Sequence, residues 1–174
     1  MASTQHNLSE HSLSPAEQAL APTLKIAIAV AEWNPEVTMA LLQGCRDTLL
    51  HYGVAEAHIF VEQVPGSYEL PLACHWLFQR HQADAVVALG CVVTGETRHD
   101  EYINSAVSQS LMMLNLRHQI PFIFGLLTPQ NQQQALDRAG GKHGNKGVEA
   151  AITAIKMAAL RKKMFLDSGR KLGY

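Results

Sequence analysis

Short apolar runs alternate with longer amphipathic segments along most of the chain. The runs have the length and apolar content of buried strands, and between them apolar residues recur every three or four positions, as on one face of a helix. Alternation of this kind is typical of βαβ units around a parallel sheet. The predicted strands are residues 24–31, 58–64, 85–92 and 121–127. The predicted helices are residues 35–52, 68–81, 101–117, 129–138 and 148–160.

Proline and glycine mark several element boundaries. Asn34-Pro35 and Thr128-Pro129 each place a capping residue before a proline, which predicts two helix starts, and Gly53 predicts a helix end. We therefore expect a three-layer α/β/α sandwich of about four parallel strands with flavodoxin-like topology. Ligands of such sheets bind beyond the carboxyl ends of the strands, so the loops that leave those ends are the candidate site.

The N-terminal segment lacks sustained periodicity and is punctuated by Pro15 and Pro22. Residues 1–22 are therefore predicted to be a flexible arm, which could dock on a neighbouring subunit. Residues 23–174 are predicted to form a single domain.

Composition narrows the class of protein. The chain has 174 residues, of which 47% are hydrophobic, and 14 Lys and Arg against 15 Asp and Glu give a net charge of -1. This balance excludes a disordered chain and gives no sign of a nucleic-acid-binding face. The apolar runs fall short of the roughly 20 residues that cross a bilayer, and the polar N-terminus is not a secretory signal, so we expect a cytoplasmic protein. The odd number of widely spaced cysteines favours buried thiols over disulfides or zinc ligands.

The segment 94–100, Thr-Gly-Glu-Thr-Arg-His-Asp, is the densest cluster of chemical groups. It follows a predicted strand and precedes a helix, whose N-terminal amides could hold a phosphate near Glu96 and Thr97. His99 has acidic and basic neighbours and suits proton transfer near neutral pH. A solvated helix cap is the alternative.

A second candidate is the glycine-rich segment 138–147, which carries Arg138, Lys142, His143 and Lys146. Its glycines permit close approach of a ligand to the backbone, so an anion site is plausible, although the spacing is not that of a Walker motif. A flexible connector before the last helix is the competing interpretation.

Aromatic residues follow two predicted strands, at Trp33 and at Tyr68, and Glu69 stands beside the second. Two aromatic faces at neighbouring strand ends suggest a planar heterocycle, and a carboxylate could accept its hydrogen bonds. Packing is the alternative role for each aromatic side chain.

Taken together, segments 33–34, 64–69, 88–99, 122–128 and 135–147 resemble 6,7-dimethyl-8-ribityllumazine synthase in order and spacing. The resemblance implies a transferase of riboflavin biosynthesis that condenses 5-amino-6-ribitylaminopyrimidinedione with 3,4-dihydroxy-2-butanone 4-phosphate. It implies no metal or organic cofactor. It also implies homo-oligomers with sites shared between subunits, which could be pentamers, dimers of pentamers or 60-subunit icosahedral shells, and it raises riboflavin synthase as a partner.

The resemblance also assigns roles to residues. The positions that match pyrimidine and ribityl contacts are Trp33, Asn34, Ser67, Tyr68, Glu69, Val92, Val93 and Phe124. The positions that match the phosphate site are Gly95, Glu96, Thr97 and Arg138. The positions that match catalytic residues are His99, Arg138 and Lys146. Phe124 and Arg138 resemble groups supplied by a neighbouring subunit, and Asp100 or Glu101 would orient His99.

Two positions depart from the family pattern. Thr94 stands where many members have a basic residue, and Asp100 replaces a frequent aromatic residue after the histidine. Both alter the electrostatics of the loop. Two other functions remain as alternatives, a non-catalytic flavin or lumazine carrier on the same fold and a flavodoxin-like redox module. The absence of a Ser/Thr-rich phosphate loop after the first strand disfavours the redox module.

Overall fold

The computed structural model describes residues 12–168 and their side chains as far as residue 165. Residues 1–11 of the predicted arm and residues 169–174 of the predicted domain lie outside the described residues.

A parallel sheet forms the centre of the molecule. Its strands are β1 (Ile26–Ala31), β2 (Ile59–Val64), β3 (Ala85–Cys91) and β4 (Phe122–Leu127). They lie in the order β2-β1-β3-β4, and each neighbouring pair is parallel. All four predicted strands are confirmed, with ends that differ by one or two residues.

Helices precede, connect and follow the strands. Within residues 12–168 they are α1 (Pro15–Leu20), α2 (Pro35–His51), α3 (Leu70–His81), α4 (His99–His118), α5 (Gln132–Asp137) and α6 (Lys146–Ser168). A small antiparallel hairpin of β5 (Ala139–Gly141) and β6 (Gly144–Asn145) lies between α5 and α6.

The sequence of β1 explains how the layers form. Its six residues read Ile-Ala-Ile-Ala-Val-Ala, and all six are buried. Successive side chains of a strand point to opposite faces, so the branched residues pack with α2 and α6 while the alanines pack with α3 and α4. The predicted α/β/α sandwich is thereby confirmed.

Helix α6 crosses α2 at unusually close range. A Cβ atom on Gly147 would collide with the carbonyl oxygen of Leu41, and one on Gly44 would lie 2.7 Å from the Asn145 side chain. Asn145 Nδ2 donates to the carbonyl of Ala40 at 2.9 Å, and its Oδ1 accepts from the Gly147 N–H at 2.7 Å. Asn145 therefore caps α6 and fixes its start on α2.

The glycine-rich segment is a hairpin rather than the flexible connector that was one interpretation of the sequence. It forms the β5–β6 hairpin, in which Gly140 and Gly144 take φ values of 116° and 78° that favour glycine. Helix α6 begins at Lys146 rather than at Val148 and continues to Ser168, past the basic residues at 161–163.

The predicted start of the fifth helix is three residues too early. Helix α5 begins at Gln132, with Asn131 as its cap, and Asn131 Oδ1 accepts from the Gln134 N–H at 3.0 Å. Residues 128–131 stay outside the helix, and the Pro129 carbonyl accepts instead from the Thr94 N–H at 3.0 Å. The sequence signal at Thr128-Pro129 is overridden by this tertiary hydrogen bond.

At the other predicted start, Asn34 is the N-cap residue of α2 by position but not by side-chain hydrogen bond. Its φ of 59° lies in the left-handed region, and its Nδ2 donates to the Cys91 carbonyl at 2.9 Å. The amide therefore ties the end of β1 to the end of β3.

The described part of the predicted arm packs on the domain. Ser14 and Glu17 form a capping box at the start of α1, Leu13 is buried, and Glu17 forms an ion pair with Lys156 of α6 at 3.7 Å. Hydrogen bonding to the Ser14 backbone is the main cause of a lowered Glu17 pKa. A six-residue helix is too short to show periodicity, which is why the sequence predicts flexibility here.

Among the described helices, none is long and apolar enough to span a membrane.

A histidine pair joins α3 to the end of α4. The ring of His118 lies 5.0 Å from the rings of both His75 and Phe78, and 6.1 Å from that of Phe122, measured between centroids. Burial lowers the pKa of His118 below its usual 6.5, and the charges of His75 and Arg117 lower it further.

We predict that the free energy of unfolding falls as pH drops below about 6.5, because His118 takes up a proton more readily in the unfolded chain. The stabilising contribution of neutral His118 is fully present above about pH 6.5. It is lost as the pH falls through the pKa of His118 in the folded state, which is the lower of the two values. Thermal melting at about pH 7.5 and about pH 5.5 measures the loss, which should be smaller in His118→Gln. Exposed His51 provides the control, and an equal reduction in His51→Gln would contradict the assignment.

Candidate active site

A cleft of about 670 Å³ opens at the carboxyl ends of β1, β2 and β3. It lies where ligands of parallel α/β sheets bind. The predicted site residues that line it are Trp33, Asn34, Ser67, Tyr68, Glu69, Val92, Val93 and His99. The remaining lining residues are Gly66, Cys91, Tyr102 and Ile103.

The cleft has an aromatic rim that is open to solvent. Trp33 is 72% exposed, Tyr68 63% and Tyr102 71%. Large aromatic faces left in water around a concave site are suited to stacking on a flat heterocycle. The sequence analysis missed Tyr102, although its position three residues after His99 places both on one side of α4.

Two polar side chains that line the cleft, Ser67 and Glu69, are closely approached by glycine backbone. Ser67 is buried, and its Oγ has no hydrogen-bond partner among the described residues. A Cβ atom on Gly90 would lie 2.6 Å from that oxygen, and one on Gly66 would lie 3.0 Å from the Glu69 carboxylate. A bound hydroxyl or ring nitrogen would satisfy Ser67 Oγ, whose burial without a partner is otherwise unfavourable.

Cys91 also lines the cleft, but its thiol is not suited to nucleophilic catalysis. Burial raises the pKa of Cys91 to about 11, so the thiol stays protonated at neutral pH. Cys45 and Cys74 are buried elsewhere, which agrees with the predicted buried thiols.

His99 is the first residue of α4 and is exposed at the mouth of the cleft. Neither carboxylate expected to orient it does so. Asp100 Oδ2 accepts from Thr94 Oγ1 at 3.1 Å, while Glu101 Oε2 accepts from Arg98 Nε and Nη2 at 2.9 and 2.7 Å. Both carboxylates have partners nearer in the loop, so the side chain of His99 is left exposed at the mouth of the cleft.

The predicted phosphate residues of the 94–100 loop lie beside His99. Gly95, Glu96 and Thr97 are exposed, and a Cβ atom on Gly95 would meet nothing within 4 Å. The backbone here is open to an anion. Helix α4 begins at His99, two residues before its predicted start, and its free backbone amides begin there rather than near Glu96 and Thr97.

Phe124 and Lys146 lie in a different cleft, of about 480 Å³, beside the edge strand β4. Phe124 is 37% exposed there although it belongs to an otherwise buried strand. Arg138 lines neither cleft but lies close to the second through Glu149. Within one chain, therefore, the predicted residues separate into two groups.

Glu149 organises the second group and was missed by the sequence analysis. It is 3% exposed, and its two carboxylate oxygens lie 2.9 Å from Arg138 Nη1 and 3.1 Å from Lys146 Nζ. Arg138 Nη1 donates its hydrogen bond to the His143 carbonyl, so its contact with Glu149 is an ion pair without hydrogen-bond geometry. The available signal was the spacing of Lys146 and Glu149, three residues apart at the start of a helix.

Neighbouring charges in the hairpin are also paired. Asp137 lies 3.5 Å from Lys142, and its pKa is lowered chiefly by a hydrogen bond from Gln133 and further by Lys142 and His143. Within residues 12–168 no cluster of three or more His, Cys, Asp or Glu side chains is placed to hold a metal ion.

Comparison with known proteins gives a consistent result. The family model described as 6,7-dimethyl-8-ribityllumazine synthase matches residues 23–162. A protein of that name from Porphyromonas gingivalis is 48% identical, covering 93% of this chain and 99% of its own length. Its counterpart from Parabacteroides distasonis is 49% identical, covering 90% and 97% respectively. One from Cytophaga hutchinsonii is 48% identical, covering 91% and 98%. The chain, with its cleft at the expected strand ends, therefore belongs to the 6,7-dimethyl-8-ribityllumazine synthase family.

Proposed function

We propose that the cleft at the carboxyl ends of β1, β2 and β3 is where this riboflavin-biosynthesis enzyme carries out its condensation. The substrates would be 5-amino-6-ribitylaminopyrimidinedione and 3,4-dihydroxy-2-butanone 4-phosphate, and the products the lumazine, phosphate and water. The observation that carries the proposal is the convergence of the exposed aromatics, Ser67, Glu69 and His99 on one cleft. We further propose the cytoplasm as its compartment.

The cleft suits the pyrimidine substrate in shape and polarity. Its ring would stack on Trp33, while Ser67 Oγ and the Glu69 carboxylate would hydrogen-bond the ribityl hydroxyls or ring nitrogens. Val92 and Val93 continue the end of β3 along the cleft, where their backbone groups can contact the ring edge. The phosphate of the second substrate would lie against Gly95 and Thr97.

The reaction needs proton transfer at each step. The primary amine of the pyrimidine attacks the ketone and forms a Schiff base with loss of water, phosphate then leaves, and the ribityl-bearing nitrogen closes the second ring with loss of water. His99, exposed at the cleft mouth, would move these protons. Much of the acceleration would be positional, because two reactive substrates held side by side need little further activation.

The separation of the predicted residues into two groups supports a site shared between subunits. Phe124, Lys146 and Arg138 lie beside edge strand β4, away from the cleft that holds His99. A neighbouring copy could bring its Phe124 and Arg138 to this cleft and so supply the cation that departing phosphate requires. The proposed assembly is a pentamer, or a 60-subunit shell built from pentamers, with riboflavin synthase a further candidate partner.

Purified protein given both substrates should produce lumazine absorbance and release phosphate. His99→Ala should lower kcat by roughly 10- to 100-fold without abolishing it, because water can replace an exposed proton carrier in part. Product formation is followed by absorbance. A carrier would bind lumazine but make none, and complete loss of turnover in a folded, substrate-binding His99→Ala variant would contradict the positional mechanism.

The shared site can be tested by complementation. His99→Ala and Arg138→Ala subunits, unfolded together and reassembled, should recover up to about a quarter of wild-type activity, because random mixing gives that share of sites both intact residues. Either variant reassembled alone is the control. A shared site would be refuted if the reassembled mixture were no more active than the average of the two variants. It would also be refuted if light scattering gave the mass of a single chain.

Glu149→Gln should lower both activity and stability. The change keeps the shape but leaves Arg138 and Lys146 without their buried counter-charge, so we expect kcat/KM to fall about tenfold and the free energy of unfolding by about 1–2 kcal/mol. Steady-state kinetics and denaturant unfolding measure the two effects. Glu56→Gln, which breaks the exposed Arg46–Glu56 pair, is the matched control and should change stability by less than about 1 kcal/mol. Equal effects of the two substitutions would show that burial of Glu149 is unimportant.

A further inference from the structure

The two loop positions at which the chain departs from the family pattern contact each other. Thr94 Oγ1 donates a hydrogen bond to Asp100 Oδ2 at 3.1 Å. This bond spans the loop that carries Gly95, Glu96 and Thr97, the proposed phosphate contacts. Two departures that look independent in the sequence are therefore one structural feature.

The position of Asp100 is set from both sides of the loop. Thr94 is anchored by its own N–H, which donates to the Pro129 carbonyl at 3.0 Å. Asp100 belongs to the first turn of α4 and is half-buried, whereas residues 94–99 are exposed. The carboxylate is therefore kept at the loop rather than turned freely into solvent.

The charge of Asp100 lacks a cationic partner among the described residues. The neighbouring Glu101 is paired with Arg98, at 2.7 Å, whereas Asp100 receives its hydrogen bond from a neutral hydroxyl. A phosphate on the 95–97 backbone would lie in the loop that the Thr94–Asp100 hydrogen bond spans. At a separation of about 5 Å in water, each unit of charge on the phosphate would weaken binding about fourfold.

We propose that Asp100, held in place by Thr94, is a specificity-determining residue that weakens phosphate binding at the 95–97 loop. The proposal rests on the proposed function, which assigns the phosphate of the substrate to this loop. It follows that the phosphate group depends on the neighbour's Arg138 for most of its counter-charge, and that inorganic phosphate leaves the site readily after the reaction.

Asp100→Asn separates charge from hydrogen bonding, because its amide oxygen can still accept from Thr94. Titration calorimetry of the purified full-length oligomer with inorganic phosphate should show a Kd lower than in the wild type by about fourfold for each unit of negative charge on the phosphate. Thr94→Val removes the hydrogen bond to the Asp100 carboxylate and should lower the Kd by a smaller factor than Asp100→Asn does. Combined with Asp100→Asn, Thr94→Val should not change the Kd further. Thr94→Ser keeps the hydroxyl and should have the wild-type Kd.

Two controls make the result specific. Asp47→Asn removes the same charge from an exposed carboxylate more than three turns into α2, and should leave the Kd unchanged. Arg138→Ala should weaken phosphate binding in every background, which identifies the site measured. If Asp100→Asn does not fold, as judged by its melting curve, Thr94→Val alone decides by the direction of its effect.

An unchanged or higher Kd in Asp100→Asn, or no phosphate binding in any variant, would overturn this inference. Lumazine formation by the wild-type enzyme is measured separately. Product without an effect of Asp100→Asn defeats this inference alone, whereas failure to make product from both substrates defeats the proposed function.

Discussion

The closeness of α6 to α2 is the constraint on which much of the structure depends. A residue with a side chain at position 147 cannot fit against the Leu41 carbonyl, so the crossing point of the two helices is fixed. Asn145 then caps α6 from a position hydrogen-bonded to α2. Lys146 and Glu149, in the first turn of α6, are placed by this crossing, and Glu149 in turn holds Arg138. A contact between two backbones thus determines where a buried acid and two cations lie.

The four strands of the sheet, and the helices that connect them, could be predicted from the sequence because they depend on local patterns. The alternation of branched residues and alanine in β1, with no polar residue, already predicts that both faces of the sheet are buried. The errors arise where a tertiary hydrogen bond competes with a local signal, as at Pro129, whose carbonyl is used by Thr94. The glycine-rich segment was ambiguous for the same reason, since its hairpin is fixed by contacts with α2 and α5 that no local pattern contains.

Most of the cleft lining was predictable residue by residue, but its arrangement was not. The motifs gave eight of the residues that line the cleft, and Tyr102 could have been added from helical spacing. Glu149 could not be distinguished from an ordinary helix-start glutamate, because its importance comes from being 3% exposed. The sequence analysis expected Asp100 or Glu101 to orient His99, and only the three-dimensional positions show that Asp100 bonds to Thr94 and Glu101 to Arg98 instead.

The state of the cysteines has a practical consequence for work on assembly. Cys45 and Cys74 are fully buried and Cys91 is 2% exposed, and burial raises the pKa of each thiol, to about 12 for Cys45 and about 11 for Cys91. Maleimide reagents react with accessible thiolates, so the native thiols should be silent towards them while the fold is intact. A single cysteine engineered on the surface would then accept a fluorophore without prior removal of the natural ones, and energy transfer between differently labelled chains would report whether they associate.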